Sequence, residues 1–266
     1  MDVPIADKDL ARRDCYPWRL FGTATSFALF GLGGVLLGAV VFPLLRLLPG
    51  SPRARRARAR AIVRGSFRLF IGYMTRTGTI SYEIAGRERL GRPGQLIVAN
   101  HPSLIDVVFL LAFAPDAGCV VKSALFRNPF TRGAVREAGY CSNATTAEMI
   151  EASVAALEQG QSLIIFPEGT RTRPGQPTDF HRGAASVAIR AARVVTPVFI
   201  RVSPTTLTKS EPWYHIPYRR PHWKFRVGAD LWPSEELRLA PPPVASRRFN
   251  ESMTAVFQKD LADDAG

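Results

Sequence analysis

One apolar run stands apart from the other hydrophobic stretches of the chain. It extends from Leu20 to Leu45 and contains no charged residue. At about 1.5 Å per residue, a continuous helix of this run would be roughly 39 Å long, whereas the core of a bilayer is about 30 Å thick. A helix that is apolar around its whole circumference is not a water-exposed surface helix, so the run is predicted to be buried in lipid.

Small residues within the apolar run leave its path through the membrane open. Glycines favour a break or a close helix contact, and the run contains Pro43 and five glycines, Gly22, Gly31, Gly33, Gly34 and Gly38. Residues 20–48 are therefore predicted to form one tilted transmembrane helix or a re-entrant hairpin, preceded by a tail over residues 1–19. A cleaved signal peptide is the weaker alternative, because its apolar region is shorter and begins earlier.

Arginines dominate the segment after the apolar run. Ten arginines and no acidic residue lie between Asp14 and Glu83. A helix over residues 49–78 would carry Arg56, Arg60, Arg64 and Arg68 on one side, and Val63, Phe67, Phe70 and Met74 on another. This pattern predicts a basic amphipathic helix on anionic headgroups, where each arginine contributes about 1 kcal/mol. A solvated charge run or a nucleic-acid-binding arm is the alternative.

From residue 79 to residue 266, short apolar runs alternate with helical patterns. Strands are predicted at 95–100, from 118, and at 139–143, 162–166, 194–202 and 223–228. Helices are predicted at 104–114, from the capping box of Thr145 and Glu148 to Gly160, at 183–192 and at 247–261, with a proline-rich loop at 241–244. Such alternation is typical of an α/β domain, and we predict a mixed sheet covered by helices.

Composition and motifs limit the function classes. Hydrophobic residues make up 46% of the 266 residues, which is enough for a packed core. The three cysteines, Cys15, Cys119 and Cys141, form no CxxC pair and no cluster with histidine, so neither a disulfide framework nor a zinc site is expected. No GxSxG, P-loop, HExxH or GxGxxG motif is present, which argues against serine hydrolases, nucleotide hydrolases, zinc proteases and dinucleotide-binding enzymes. We expect no metal and no cofactor.

Two polar residues follow the predicted strand 95–100. Ser103 and Asp106 fit a helix-capping pattern, which explains the aspartate but not His101. The ligand crevice of an α/β sheet usually lies at strand ends, and a carboxylate bonded to one imidazole nitrogen makes the other nitrogen a better base. His101 and Asp106 are therefore candidates for general-base catalysis on a hydroxyl, with capping as the alternative.

A second polar turn follows the predicted strand 162–166. It contains Glu168, Gly169, Thr170, Arg171 and Arg173. Glycine permits close backbone approach, and an arginine can bind a phosphate through two parallel hydrogen bonds. A surface ion pair is the alternative for this turn. Together, the two turns predict a site that combines a base with an anion-binding group.

The two turns resemble those of a known family. His101 and Asp106 match the HX4D motif, and "FPEGTRT" (166–172) matches the FPEGTR motif, of the lysophospholipid and glycerol-3-phosphate acyltransferase family. The resemblance runs from about residue 60 to about residue 230, and the bacterial 1-acylglycerol-3-phosphate acyltransferases are the nearest group.

The resemblance implies transfer of an acyl group from acyl-carrier protein or coenzyme A to a lipid hydroxyl at a membrane. It implies that His101 is the general base, that Asp106 orients it, and that the acceptor's phosphate end is held by Glu168, Gly169, Thr170 and Arg171. It also implies a glycerolipid acyltransferase fold with an N-terminal helical membrane motif.

The chain departs from the family between the two motifs. An arginine is expected where the chain has Cys141, Ser142 and Asn143, and the candidate replacements are Lys122, Arg127 and Arg132. This departure weakens the prediction of a lysophosphatidate acceptor. The segment "SPTTLTKSEPWYHIPYRRPHW" (203–223) resembles acyltransferases of bacterial aryl-polyene synthesis, so a non-glycerolipid acceptor is the alternative.

The expected partners are membrane lipids and the carrier of the acyl group, not nucleic acid. Counted as a positive-inside signal, the arginines place the α/β domain on the cytoplasmic face of a bacterial inner membrane. A net charge of +13 suits a lipid surface and an acidic carrier protein alike. A membrane-anchored protein that binds anionic lipid or nucleic acid, and an acyl hydrolase, are the alternatives from other classes. The sequence leaves the oligomeric state open.

Two further polar segments carry weaker expectations. His181 with Arg182 precedes a predicted helix and is expected to be a cap or a loop contact. The aromatic segment with Trp213, Tyr214 and Trp223 is expected either to touch lipid headgroups or to pack under a loop.

Overall fold

A mixed sheet forms the centre of the protein. The computed structural model describes residues 14–172, 179–209 and 211–263, and within these ranges seven strands form this sheet. The expected N-terminal tail up to residue 13, and Arg173, lie outside the described residues.

The strands are β1 (Ser81–Ala85), β2 (Gln95–Ala99), β3 (Ala117–Val121), β4 (Cys141–Ser142), β5 (Ser162–Ile165), β6 (Val194–Ser203) and β7 (His222–Val227). Their order across the sheet is β1-β7-β6-β2-β5-β3-β4. Strands β2 to β6 run parallel to one another, whereas β7 is antiparallel to β6 and parallel to β1. The prediction of a mixed α/β sheet is therefore confirmed. Because β7 runs against β6, its first residues lie at the edge where β2, β5 and β6 end.

The helices are α1 (Tyr16–Leu36), α2 (Phe42–Leu45), α3 (Pro52–Arg76), α4 (Asp106–Phe113), α5 (Arg132–Glu137), α6 (Thr146–Glu158), α7 (Gly183–Ala191), α8 (Glu235–Leu239) and α9 (Pro242–Asp263). Helix α9 begins at Pro242, so the expectation of a loop at 241–244 is wrong. Prolines are tolerated in a first helical turn, where the missing N–H would have no partner within the helix.

The sheet is covered on both faces. Every residue of β2 and β5 is buried, as expected for inner parallel strands. One apolar core lies between the sheet and helices α3 and α4, and the other lies between the sheet and helices α6, α7 and α9. Apolar side chains of the helices therefore pack on both faces of the sheet, whereas polar residues lie at the strand ends.

Helix α1 continues through a π-helical turn at Leu37–Val41 into α2. The whole stretch, Tyr16–Leu45, is long and apolar enough to cross a membrane, and only 11% of its most apolar window is buried. It also runs antiparallel to α3, because Trp18 Nε1 donates to Thr77 O (2.8 Å), while the ring of Phe30 stacks on Phe67. The N-terminal apolar helix is thus one arm of a helical hairpin whose other arm is α3.

The arginines of α3 do not form one free face. Arg60 is buried, where its Nε donates to Asp116 Oδ1 (2.7 Å). Arg64 Nε donates to the carbonyl of Ala112 at 3.3 Å, whereas Arg56 and Arg68 are exposed. The expectation that all four arginines lie on headgroups is therefore wrong for Arg60, because Arg60 pairs with Asp116, which is distant in sequence. The apolar side of α3, with Val63, Phe70 and Met74, packs into the protein core.

Candidate active site

The end of β2 is fixed by a buried asparagine. Asn100 donates through Nδ2 to the carbonyl of Ile200 and accepts through Oδ1 from the backbone N–H of Ile200, both at 2.8 Å. These two bonds extend the pairing of β2 with β6 by one side chain. The residue that follows, His101, therefore leaves the sheet at a defined point.

His101 and Asp106 are in direct contact. Nδ1 of the imidazole lies 3.0 Å from Oδ2 of the carboxylate, and the ring stacks on Phe166 with centroids 4.2 Å apart. His101 lines a cleft, whereas the Asp106 side chain is fully buried. With Nδ1–H donating a hydrogen bond to the carboxylate, Nε2 is left as the basic nitrogen of the ring.

The buried carboxylate of Asp106 accepts two further hydrogen bonds. The backbone N–H of Ser103 donates to Oδ2 (2.7 Å), and the indole N–H of Trp223 donates to Oδ1 (3.0 Å). Burial raises the pKa of Asp106, and the bonds from His101, Ser103 and Trp223 oppose this rise because they favour the charged form.

The capping alternative is realised only in part. Asp106 accepts from Ser103 N, as in a capping box, but the Ser103 hydroxyl donates to Thr206 O (2.9 Å) instead of capping the helix. The Asp106 carboxylate therefore accepts hydrogen bonds both from the turn that precedes helix α4 and from His101.

Glu168 joins the two turns. Its Oε1 accepts from the backbone N–H of His101 (3.1 Å) and from the Thr172 hydroxyl (2.7 Å). Burial raises the pKa of Glu168, and these bonds partly offset the effect. Among the described residues, Glu168 is not part of the cleft lining, so it faces the backbone of the histidine turn.

Arg171 lines the cleft and also holds a loop. Its Nη1 donates to the carbonyls of Leu207 (2.8 Å) and Thr208 (2.7 Å). Burial lowers the pKa of Arg171. The same Leu207 carbonyl accepts from Leu104 N (3.1 Å), two residues before Asp106. The loop 206–208 therefore connects the histidine turn to the arginine turn.

Gly169 has φ of +64°, a left-handed conformation that favours glycine. A Cβ at this position would lie 3.1 Å from His181 Cδ2, so the turn and His181 are close neighbours. Next to it, the Thr170 hydroxyl is buried and has no hydrogen-bond partner in the described part of the chain.

The cleft has a volume of about 650 Å³ and contains His101, Gly169, Thr170 and Arg171 in its lining. Lys122 and Asn143 line it from the other side. Arg127 follows a 3₁₀ turn at Ser123–Phe126, which carries it to the exposed surface outside the cleft lining. Arg132 is exposed and also lies outside the cleft lining, so of the three possible replacements for the family's arginine only Lys122 lines the cleft.

A second, apolar cavity adjoins the cleft. Its volume is about 580 Å³, and it is lined mainly by apolar side chains of α1, α3, α4 and α5. Val107, Val121 and Leu125 line both spaces. We call this second cavity the apolar groove.

Sequence reasoning missed several residues of the site. Trp223 is fully buried, so the headgroup interpretation is wrong for this residue, whereas Trp213 and Tyr214 are exposed. A signal was present, since Trp223, Phe225 and Val227 alternate as the buried side of β7. His181 is exposed and lines the cleft, and Thr172 holds the histidine turn; neither position carries a local signature.

Comparison with known proteins matches residues 81–201 to the family model described as Acyltransferase. Residues 81–201 are thus similar to the domain that this family shares. The matched segment contains the pair His101 and Asp106 and the turn from Glu168 to Arg171. The recognition of the family and the prediction of an O-acyltransferase enzyme are thereby confirmed.

Two similar bacterial proteins share the name 1-acyl-sn-glycerol-3-phosphate acyltransferase. The 1-acyl-sn-glycerol-3-phosphate acyltransferase of Pseudomonas aeruginosa is 26% identical over 182 residues, which cover 66% of this chain and 69% of the relative. The protein of the same name from Helicobacter pylori is 31% identical over 113 residues, which cover 40% of this chain and 48% of the relative. The alignment thus spans less than half the length of the second relative.

The crystal structure of the 1-acyl-sn-glycerophosphate acyltransferase PlsC from Thermotoga maritima has the same fold. The TM-score is 0.69 at 20% identity, and the match covers 92% of this chain and 96% of that chain.

Proposed function

We propose that the protein is a membrane-bound acyltransferase that moves a fatty acyl group from a thioester to the hydroxyl of a lysophospholipid such as 1-acyl-glycerol-3-phosphate. The observation that carries this proposal is the bonded pair His101 and Asp106 in a cleft that adjoins the apolar groove. A base beside a space for an aliphatic chain suits acyl transfer between amphiphiles. The names of the relatives support the same acceptor.

In the proposed reaction, Nε2 of His101 takes the proton of the acceptor hydroxyl while the oxygen attacks the thioester carbonyl. The tetrahedral intermediate collapses, the C–S bond breaks, and the leaving thiolate takes the proton from the imidazolium. Asp106 stabilises that imidazolium and holds its tautomer.

The transfer is proposed to be direct, without an acyl-enzyme. Cys119 also lines the cleft, but burial raises the pKa of its thiol, so it stays protonated and weakly nucleophilic. The Ser103 hydroxyl is buried and donates to Thr206 O. Neither group is placed as a nucleophile activated by His101.

We propose that the head group of the acceptor binds between Lys122 and the turn of Gly169, Thr170 and Arg171. Lys122 is exposed at the cleft and supplies a positive charge, and the unpartnered Thr170 hydroxyl supplies a donor. Arg171 contributes its guanidinium while its Nη1 holds the loop 206–208. Glu168 fixes the backbone of the histidine turn.

We propose that the hairpin of α1 and α3 binds the cytoplasmic face of the inner membrane. Leu29, Leu32 and Leu36 of α1 are exposed, and so are Phe130 and Trp213 beside it. Both ends of the apolar stretch contact the body: Arg19 donates to Pro217 O (3.0 Å), and Phe42 is buried in the core. These contacts at both ends favour a hairpin embedded beside the body over an independent span.

The activity is tested with purified protein in phospholipid nanodiscs, acyl-carrier-protein and coenzyme A thioesters, and a panel of lysolipids. A new ester detected by mass spectrometry is the expected product, and the panel identifies the donor. Free fatty acid without ester would indicate a hydrolase instead. Absence of both products with every donor and acceptor contradicts the proposal.

A second acceptor class is favoured by Asn143. It lines the cleft at the position where the family's arginine is expected, so one phosphate-binding charge is replaced by an amide. A non-phosphorylated acceptor, as in aryl-polyene synthesis, would not need that charge. Ester formation on a neutral alcohol but not on lysophosphatidate would support this alternative.

Narrowing the junction between the two spaces should change chain-length preference. Val121 lines both, and Val121→Trp is expected to block passage of a long chain. Loss of roughly three to four buried methylenes, at about 0.8 kcal/mol each, amounts to about 2.7 kcal/mol, so kcat/KM for a long-chain donor should fall about a hundredfold. Transfer from a four-carbon donor serves as the internal control and should change little. Equal loss with both donors would contradict a role of the groove in binding the chain.

A further inference from the structure

Asp106 is held by three donors, two in the turn that precedes it and one on the distant strand β7. His101 and Ser103 bind Oδ2, whereas Oδ1 accepts from Trp223 Nε1 at 3.0 Å. Both Asp106 and Trp223 are fully buried, so this contact is shielded from bulk solvent. Among the described residues, Trp223 is the donor found at Oδ1.

The position of Trp223 follows from the topology. It is the second residue of β7, which begins at the edge where β2 delivers His101. Its ring lies 5.8 Å from that of Phe109 on α4, one turn after Asp106. The Trp223 indole therefore packs between the sheet and helix α4, which carries Asp106, and its N–H donates to the Asp106 carboxylate.

We propose that Trp223 is a positioning residue of the His101–Asp106 pair, whose indole N–H holds Oδ1 so that Oδ2 stays on the imidazole. The catalytic part of this inference rests on the proposed function, whereas the hydrogen bond from Trp223 to Asp106 does not depend on it. A carboxylate that has lost one donor in a buried site is less stable in its charged form. The pair without Trp223 would then take up a proton more readily, and less free base would remain at a given pH.

Other charged groups around the pair have to stay constant in any pH experiment. They lie on the turn after β5, directly after β3, before α7 and on α1 near Trp223, and they are Glu168, Arg171, Lys122, His181, Arg182 and Arg19. Trp223→Phe leaves all of them in place. It removes the indole N–H and retains an aromatic ring against Phe109.

The variant Trp223→Phe is expected to lower kcat about tenfold or more, with little change in the KM for the acceptor. The acid limb of its pH–rate profile should move to higher pH. Trp232→Phe is the matched control, because Trp232 is exposed, and its profile should overlay that of the unchanged protein. A purely structural role would lower the melting temperature without moving the acid limb, and that result would overturn the proposal.

A measurement independent of turnover covers the cases in which Trp223→Phe does not fold or no transfer is detected. The protein has four tryptophans, so indole ¹⁵N–H signals of the full chain in nanodiscs can be assigned by Trp→Phe changes at the exposed Trp18, Trp213 and Trp232. The remaining Trp223 signal should shift as the pair titrates, and the shift should disappear in His101→Ala. A Trp223 signal that does not respond to pH would refute the hydrogen bond. A responsive signal without ester formation would instead refute the proposed function.

Discussion

Replacing His101 with alanine is expected to abolish acyl transfer while the protein stays folded. The imidazole is the base of the proposed reaction, and loss of a general base lowers kcat by about 10²–10⁴-fold. The side chain lies at the cleft, and its ring stacks on one face against Phe166, so its removal should disturb the core little. The measurement is ester formation by mass spectrometry, together with the melting temperature of the nanodisc-bound protein.

His215→Ala is the matched control for that variant. His215 is exposed in the segment between β6 and β7, away from the cleft lining, and its replacement should leave turnover unchanged. If His101→Ala retained the activity of the His215 variant, the assignment of the base would be refuted.

Replacing Asp106 with asparagine is expected to lower kcat about 10³–10⁴-fold, although the change is nearly isosteric. The carboxylate accepts from three donors, and an amide offers only one acceptor oxygen and adds N–H groups that meet other donors. The imidazole would then turn or adopt the other tautomer, and Nε2 would no longer be the free base. Turnover and folding are measured as for His101→Ala.

Asp116→Asn provides the comparison for Asp106→Asn. Asp116 bonds Arg60 at a distance from the cleft, so this variant should weaken the fold slightly without loss of turnover. A functional Asp106→Asn protein would show that the carboxylate serves only to start helix α4.

The elements of the fold were predictable where the signal is local. The strands at Gln95–Ala99 and Ser162–Ile165, and the helix opened by Thr145, follow from runs of apolar residues and from a capping box. The closeness of the two polar turns was also predictable, because the ends of parallel strands meet at one edge of the sheet.

Contacts between distant segments were not predictable. The bond from Trp223 to Asp106 joins residues 117 positions apart, and the pairing of Arg60 with Asp116 joins residues 56 positions apart. Neither pair leaves a repeat or a motif in the sequence. The regular spacing of the arginines predicted that Arg60 faces lipid. Arg60 is instead buried, because it pairs with Asp116.

The packing of α3 has a consequence for dissection of the protein. Ala59, Val63, Ile71 and Met74 belong to the same core as Phe109 and Trp223, although a boundary drawn from sequence at residue 79 separates them. A polypeptide cut at that boundary would leave the back wall of the Asp106 site open to water. It should aggregate instead of yielding a soluble protein, so the hairpin of α1 and α3 and the candidate active site form one cooperative folding unit.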